Sequence, residues 1–417
     1  MTTVGYLTGG YPRVTDSFIR REIHGVEDCG IRVERFAVRR PDDRSMVSDA
    51  QRRERELTTY LLGRGPAEYA RALTRAARRS PRRFAAAAAL AARTRRLGAS
   101  GSFRQLAYFV EAAVLADLMT ERGVDHLHDH FADASCTVAM LASALSGIPY
   151  SFTIHGPAIF FEPHLWHLDA KLRTATFCAA ISSFARSQAS LFCEPETWDR
   201  LHVVHCGVDP TDTSPAVERT DGRPVELLFV GRLEPVKGLL VLLDAVHRLV
   251  RDGDDVHLTI VGDGAERGDI EARTAELGLA AAVRFAGYRS DAEVRDHLAA
   301  ADVFVLPSFA EGVPISLMEA LAQEVVVVAT NVGGVTELVR HDENGLVVPP
   351  GDADALAAAL RTLAHDGDLR TRLGAAGARR VRAEFDSAVE ARRLVALIRD
   401  PDGLRGVVRP EPVPHID

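Results

Sequence analysis

At 417 residues the chain is too long for a single core of ordinary size, so two domains are expected. Its formal net charge of −8 argues against a general nucleic-acid binder. Five cysteines (Cys29, Cys136, Cys178, Cys193 and Cys206) lack metal-type spacing and are odd in number, which predicts reduced, mostly buried thiols in a cytoplasmic protein.

The chain opens on a strand at residues 3–8, with no signal peptide ahead of it, and no apolar run approaches the ~20 residues that span a bilayer. Further strands are predicted near Val33 and at residues 124–127, 150–154, 177–181 and 201–204. Residues 64–104 are rich in arginine, with Glu68 the one acid and an alanine run from Phe84 to Leu90. A basic helical face there could dock on anionic lipid; the simpler reading is a solvated face on an insert, about residues 50–120, that covers the first domain. Turn formers at 209–215 and 221–224 read as a linker. Beyond it, strands at 225–230, 256–261, 283–286, 302–306 and 325–329 alternate with apolar-periodic segments such as 238–250. Strands that alternate with helices in this way predict parallel, doubly wound sheets, one in each half, facing each other across a deep cleft. The predicted boundaries are 1–212 and 213–387, followed by a helix at 388–398 that returns to the first domain. The proline-rich tail, 409–417, is predicted to lack order.

Ligands of such sheets bind at the carboxyl ends of the strands, and there the second half carries its chemistry. Gly231 and Arg232 close one strand and Lys237 and Gly238 open a helix, so two cations could clamp a diphosphate. Gly262 to Gly264, and Gly287 with Tyr288 and Arg289, end the next two strands, where backbone groups can read a base. Glu311 and Glu319 lie eight residues apart where strand gives way to helix, through Gly312, Val313, Pro314 and Ile315. Amides at a helix start attract anions, whereas carboxylates prefer sugar hydroxyls, and a nucleotide sugar would use both. Gly333, Gly334 and Glu337 add to the same pocket.

These motifs, in this order and spacing, resemble the family 4 retaining glycosyltransferases, whose fold is the two-domain GT-B arrangement of Rossmann-like domains. The amino half resembles a subgroup that assembles exopolysaccharides such as colanic acid. There residues 11–19, from Tyr11 and Pro12 to Phe18 and Ile19, parallel a YPxxSETF signature. His128 to Phe131 and Ser151 to Gly156 parallel two others. The resemblance implies that Arg232 and Lys237 hold the donor diphosphate and neutralise it as it leaves. It implies that Glu319 binds the ribose, that Glu311 sits at the donor sugar, and that Gly9 and Gly10 bring amides to the diphosphate. His155 would lie near the reacting carbon, with Tyr11, Asp16, His130 and Gly156 on the acceptor side. The implied partners are a nucleotide-sugar donor and a glycan, lipid-linked or small-metabolite acceptor, with no metal or other cofactor.

Two other classes share part of this pattern. A nucleotide-sugar 2-epimerase shares the fold and the clamp, but the Glu311–Glu319 spacing and the Thr153 to Gly156 motif disfavour it; a non-catalytic sugar-nucleotide binder is the third class. His128-Asp129-His130 suggests a metal cluster, yet alternate strand residues point oppositely, so Asp129 should face away from both histidines. Asp252 with Asp254, and Asp352 with Asp354, read as turn and capping residues. Two departures from the family pattern are Gln323-Glu324, where glycine and often proline follow, and Asp16, where glutamate is commoner.

Overall fold

The computed structural model describes residues 2–42, 46–215 and 222–401. Part of the expected linker (216–221) and the whole proline-rich tail lie outside them. The chain forms two units, one of residues up to His205 together with those from Glu390 onward, the other of Cys206–Val389.

The first unit holds seven strands: β1 (Thr3–Gly10), β2 (Arg32–Arg39), β3 (Thr58–Tyr60), β4 (His126–His130), β5 (Tyr150–Ile154), β6 (Cys178–Ala180) and β7 (Leu201–Val203). The second holds six: β8 (Val225–Val230), β9 (Val256–Val261), β10 (Val283–Gly287), β11 (Val303–Leu306), β12 (Val326–Thr330) and β13 (Leu346–Val348). Their orders are β3-β2-β1-β4-β5-β6-β7 and β10-β9-β8-β11-β12-β13, with every pair parallel. Both units are therefore Rossmann-like, and in each the order of strand addition reverses at one point, β1/β4 and β8/β11. Strands β3 and β13 were not anticipated; each is a three-residue edge strand, too short to show a period.

Burial on both faces explains the apolar runs. β5, β11 and β12 are buried throughout. Helix Leu239–Asp252 covers the second sheet with Leu239, Leu242, Leu243, Val246 and Leu249, a three-and-four spacing that keeps one stripe inward. It begins at Gly238, where φ is +66° and a Cβ would lie 2.2 Å from the Pro307 carbonyl oxygen. Only glycine allows the helix to start this close to the end of β11. Helix Ser387–Arg399 packs Ala391, Leu394 and Val395 with Ile19, Ile23 and Val26 of the first unit.

The basic segment is part of the fold's framework. Helices Pro66–Arg79, Pro81–Arg93 and Ala99–Glu121 form the connection from β3, at the sheet edge, back to β4 beside β1. Ala72, Ala76, Ala87 and Ala91 are buried in the core that they share with Ala112, Leu115 and Met119. Alanines four apart allow close helix packing while the arginines occupy the other faces. Several of those arginines are engaged: Arg75 reaches Asp117 at 2.8 Å, and Arg83 donates to the Ser146 carbonyl at 2.6 Å.

The acidic pairs outside the site are structural. Asp252 and Asp254 both bind Arg361, at 2.8 and 2.9 Å, tying a turn to helix Ala353–His365. Asp352 caps that helix by accepting from Ala355 N at 2.8 Å. Where the family pattern places glycine, Glu324 adopts φ +60° and holds the left-handed turn with its side chain exposed.

Glu111 is 6% exposed within helix Ala99–Glu121, and its Oε2 has no hydrogen-bond partner among the described residues. Burial pushes its carboxyl up to about 7, with the Arg39 guanidinium opposing. The folded chain thus holds this proton more tightly than the unfolded chain, so stability falls as pH rises from about 4.5 to 7. Glu111→Gln is expected to raise stability at pH 8 by about 2–3 kcal/mol and to change little at pH 4, as read by urea denaturation at both values.

Candidate functional site

In the second unit the loops after the strands are stitched together by their backbones. Gly231 N donates to Val261 O at 3.0 Å, Leu233 N to Asp263 O at 3.0 Å and Gly262 N to Gly287 O at 2.9 Å. A Cβ on Gly262 would meet the Gly231 carbonyl oxygen at 1.9 Å, and one on Gly264 would meet that of Leu233 at 2.3 Å. These glycines are required by the packing of loop on loop. That packing sets Arg232, Tyr288 and Arg289 on one rim, where Arg232 pairs with Glu234 and Arg289 with Glu293.

Across the β8/β11 reversal, Lys237 and Glu311 meet. Lys237 Nζ lies 2.6 Å from Glu311 Oε1, which also accepts a 2.6 Å bond from Ser308 Oγ. The Ser308 carbonyl in turn accepts from Thr330 Oγ1 of β12 at 2.5 Å. From the other side, Gly333 (φ +53°) is pressed so closely on Glu311 that a Cβ would lie 1.9 Å from its carbonyl oxygen. Glu311, 9% exposed, is thus held by three strand ends. Gly312, Val313 and Pro314 are buried beneath it, and Ile315 and Glu319 are half-buried on helix Ile315–Ala322. Pro314 is the N-cap of that helix, and no side chain caps its first turn. Amides there are placed to meet an anion.

In the first unit, Gly9 and Gly10 end β1 at the β1/β4 reversal, and among the described residues none but Gly9's chain neighbours comes within 4 Å of where a Gly9 Cβ would be. His130 ends β4, and His155 follows β5, with Gly156 beginning the next short helix. The two imidazoles meet, His130 Nδ1 to His155 Nε2 at 2.7 Å, with centroids 4.9 Å apart. Phe18 and Phe131 flank His155, each with its ring centroid at 4.8 Å. Phe131 has φ +75°, an uncommon conformation for an aromatic residue. Burial, reinforced by His130, holds the His155 imidazole well below its ordinary range and keeps it neutral.

Two residues expected on the acceptor side turn inward. Tyr11 is 2% exposed, and its hydroxyl donates to Glu54 Oε2 at 2.9 Å, an oxygen that also takes Arg35 Nε at 2.8 Å. Asp16 is 2% exposed and accepts from the Arg13 backbone and guanidinium at 3.0 and 3.1 Å, closing the 13–16 turn. Burial pushes its carboxyl up, with Arg13 opposing. Both residues shape the loop after β1 from beneath.

One residue was missed. Glu22, on helix Ser17–Asp28, brings Oε1 to 3.3 Å from His130 Nε2 and 3.9 Å from His128 Nε2, and accepts from Tyr6 Oη at 2.9 Å. Its signal was its place three residues after buried Ile19 and one before buried Ile23, an acid on an apolar stripe. Asp129, as the strand alternation predicted, faces elsewhere, near Ser135 and Cys136.

Comparison with known proteins bears on the family and the fold. Residues 210–380 match the family model described as glycosyl transferases group 1, and residues 50–212 match that of glycosyltransferase family 4. A Salmonella typhimurium protein named for colanic acid biosynthesis is 30% identical over 302 residues, covering 69% of this chain and 73% of its own. An Erwinia amylovora amylovoran biosynthesis glycosyltransferase is 31% identical over 207 residues, covering 48% of this chain; the match spans 51% of that relative's length. In fold the chain is similar to sucrose-phosphate synthase from Thermosynechococcus elongatus, with TM-score 0.76 at 20% identity, covering 97% and 100% of the two chains. It is also similar to Anabaena HepE in complex with UDP-glucose, with TM-score 0.73 at 18% identity, covering 96% and 100%. The chain belongs to the family 4 glycosyltransferases of the GT-B fold.

The glycine contacts make a paired prediction. Gly333→Ala, with positive φ and a backbone oxygen in the way, is expected to destabilise by at least about 2 kcal/mol. Gly268→Ala, on helix Arg267–Glu276 with nothing within 4 Å, is expected to stabilise by about 0.5–1 kcal/mol. Chemical denaturation of both variants checks the sign and size of each.

Proposed function

We propose that the chain is a retaining, metal-independent glycosyltransferase that moves a hexose-type sugar from a nucleoside-diphosphate sugar to a hydroxyl or amine of a glycan, lipid-linked or small-metabolite acceptor. The observation that carries this reading is the Lys237–Glu311 pair, set at the β8/β11 reversal beside an uncapped helix start. A cation for phosphate and a carboxylate for hydroxyls stand 2.6 Å apart, as a ligand bearing both groups would need. HepE, similar in fold, is seen in complex with UDP and with UDP-glucose, and the relatives are named for amylovoran and colanic acid biosynthesis.

Cleaving a glycosyl–phosphate bond puts positive charge on the sugar and negative charge on the diphosphate. Lys237 and Arg232 oppose that negative charge as it grows, each by a few kcal/mol on the analogy of other anion holes. In a retaining reaction the acceptor enters from the leaving-group face, and the departing phosphate oxygen takes its proton. No enzymic base is then required. Glu311 would receive donor-sugar hydroxyls and Glu319 those of the ribose. His155, neutral and fixed by its aromatic neighbours, offers a ring nitrogen to a substrate hydroxyl.

The same reading places the protein in the cytoplasm with a peripheral membrane contact. No helix among the described residues is long and apolar enough to cross a membrane. Leu97, Phe103 and Leu106 are 94%, 74% and 60% exposed beside Arg93, Arg95 and Arg104. Apolar tips among cations suit anionic lipid. The protein is expected to float with phosphatidylglycerol vesicles at low salt and to lose this with Phe103→Ser; failure to float would remove the membrane contact.

The donor assignment is tested by thermal denaturation, with EDTA present, against a panel of nucleotide sugars. One member at a hundredfold excess over its Kd is expected to stabilise by about 2.7 kcal/mol, a shift of a few degrees. Lys237→Ala is expected to abolish it. The absence of a shift with every member would overturn the donor site.

A further inference from the structure

Glu311 has a second partner besides Lys237, and that partner lies beyond the reach of a ligand. Ser308, two residues past the end of β11, is 0% exposed, and its hydroxyl donates to Glu311 Oε1 at 2.6 Å. Lys237 Nζ donates to the same oxygen, also at 2.6 Å. Oε2 accepts no hydrogen bond among the described residues, and it is not sealed from solvent. The carboxylate is divided in use: one oxygen is held from within, and the other is open.

The two groups on Oε1 are not equally free to leave it. The Lys237 side chain, 16% exposed, carries its charge on a flexible four-carbon stem and so can turn to an anion. Ser308 has a short side chain on a backbone that is itself tied down. Its carbonyl accepts from Thr330 Oγ1 at 2.5 Å, and Thr330, 2% exposed, is the last residue of β12. The Ser308 hydroxyl has a single proton and an ionised carboxylate can only accept, so that proton is committed to Glu311. Once Lys237 has turned away, Ser308 is the one partner among the described residues left to a nearly buried carboxylate.

We infer that Ser308 is a positioning residue that keeps Glu311 Oε1 anchored when Lys237 moves to the donor diphosphate, and so holds Oε2 ready for the hydroxyls of the donor sugar. The use of the contact rests on the proposed function; the contact itself does not. A carboxylate without an anchor would have several rotamers open to it, and a sugar would have to order it on binding. With Ser308 in place the fold does that ordering, through β11 and β12, before the ligand arrives. Ser308 is shut away from substrate, so its effect on binding must pass through Glu311.

The test is a double-mutant cycle of Ser308→Ala with Glu311→Ala in the full-length protein, read without ligand and again with donor. Without ligand, Ser308→Ala is expected to lower the thermal midpoint in the wild type, and by less than half as much in the Glu311→Ala background. Equal shifts in the two backgrounds overturn the contact. With the donor found by thermal shift, calorimetric titration is expected to show at least about a fivefold loss of affinity for Ser308→Ala alone. In the Glu311→Ala background the same change is expected to alter affinity less than twofold. Ser308→Thr, which keeps the hydroxyl, is expected to recover part of the loss. Ser308→Cys, close in shape but a weak donor, is expected to recover little, and it replaces the alanine variant if that one does not fold. An unchanged affinity, or a loss of equal size in both backgrounds, overturns the positioning role and leaves the donor site standing. If no donor shifts the protein, the proposed function falls and the use of the contact with it, while the ligand-free cycle still decides whether the contact holds.

Discussion

A parallel sheet sealed on both faces by helices admits polar side chains along its strands only where they satisfy one another, as His128 does with Ser151 and Thr153. In this chain the constraint is severe, because β5, β11 and β12 are buried from end to end. Polar groups with work to do are therefore pushed to the carboxyl ends, and most sharply to the reversals at β1/β4 and β8/β11, where adjacent loops part. The loops there must also pack on one another, and glycine alone permits the approach that Gly238, Gly262 and Gly333 make. The glycines that might be read as ligand contacts are first of all structural spacers. The charged residues beside them inherit fixed positions.

The two units meet this constraint with different materials. The second gathers formal charge, Lys237 and Arg232 against Glu311 and Glu319, on backbone held by strand-end hydrogen bonds. The first gathers aromatic and imidazole rings, with its carboxylates Asp16 and Glu54 turned into the interior to hold loops. Glu22 is the exception, an acid directed at the histidines. On the proposed function, charge in one unit and polar rings in the other would suit a diphosphate that is strongly charged and an acceptor hydroxyl that is not.

Much of this was legible in the sequence, and the failures have physical causes. Long β-branched runs between turn formers located eleven strands, while β3 and β13 are short edge pieces whose pairing depends on their neighbours. Lys237, Glu311 and the glycines could be placed at strand ends because strand-end motifs combine composition with spacing. Tyr11 and Asp16 lie in a motif of the right order, but a loop has no period, so nothing in the pattern says which side chains face inward. The basic segment was read by its charge, whereas its alanines, four apart and buried, decide how it packs. Glu22 escaped because a helical glutamate is usually solvated; only the sheet's register reveals two histidines waiting opposite it.

The Lys237–Glu311 contact has a consequence for selectivity. Each group is the other's partner, so a ligand must part them before it gains either. An inorganic anion can engage the ammonium, but it strands a nearly buried carboxylate whose remaining partner is the Ser308 hydroxyl. A free sugar offers hydroxyls to the carboxylate and strands the ammonium instead. One molecule carrying phosphate and polyol at the right separation relieves both at once. On the proposed function, the pair works as a coincidence detector, rejecting the fragments of a nucleotide sugar by making half a match worse than none.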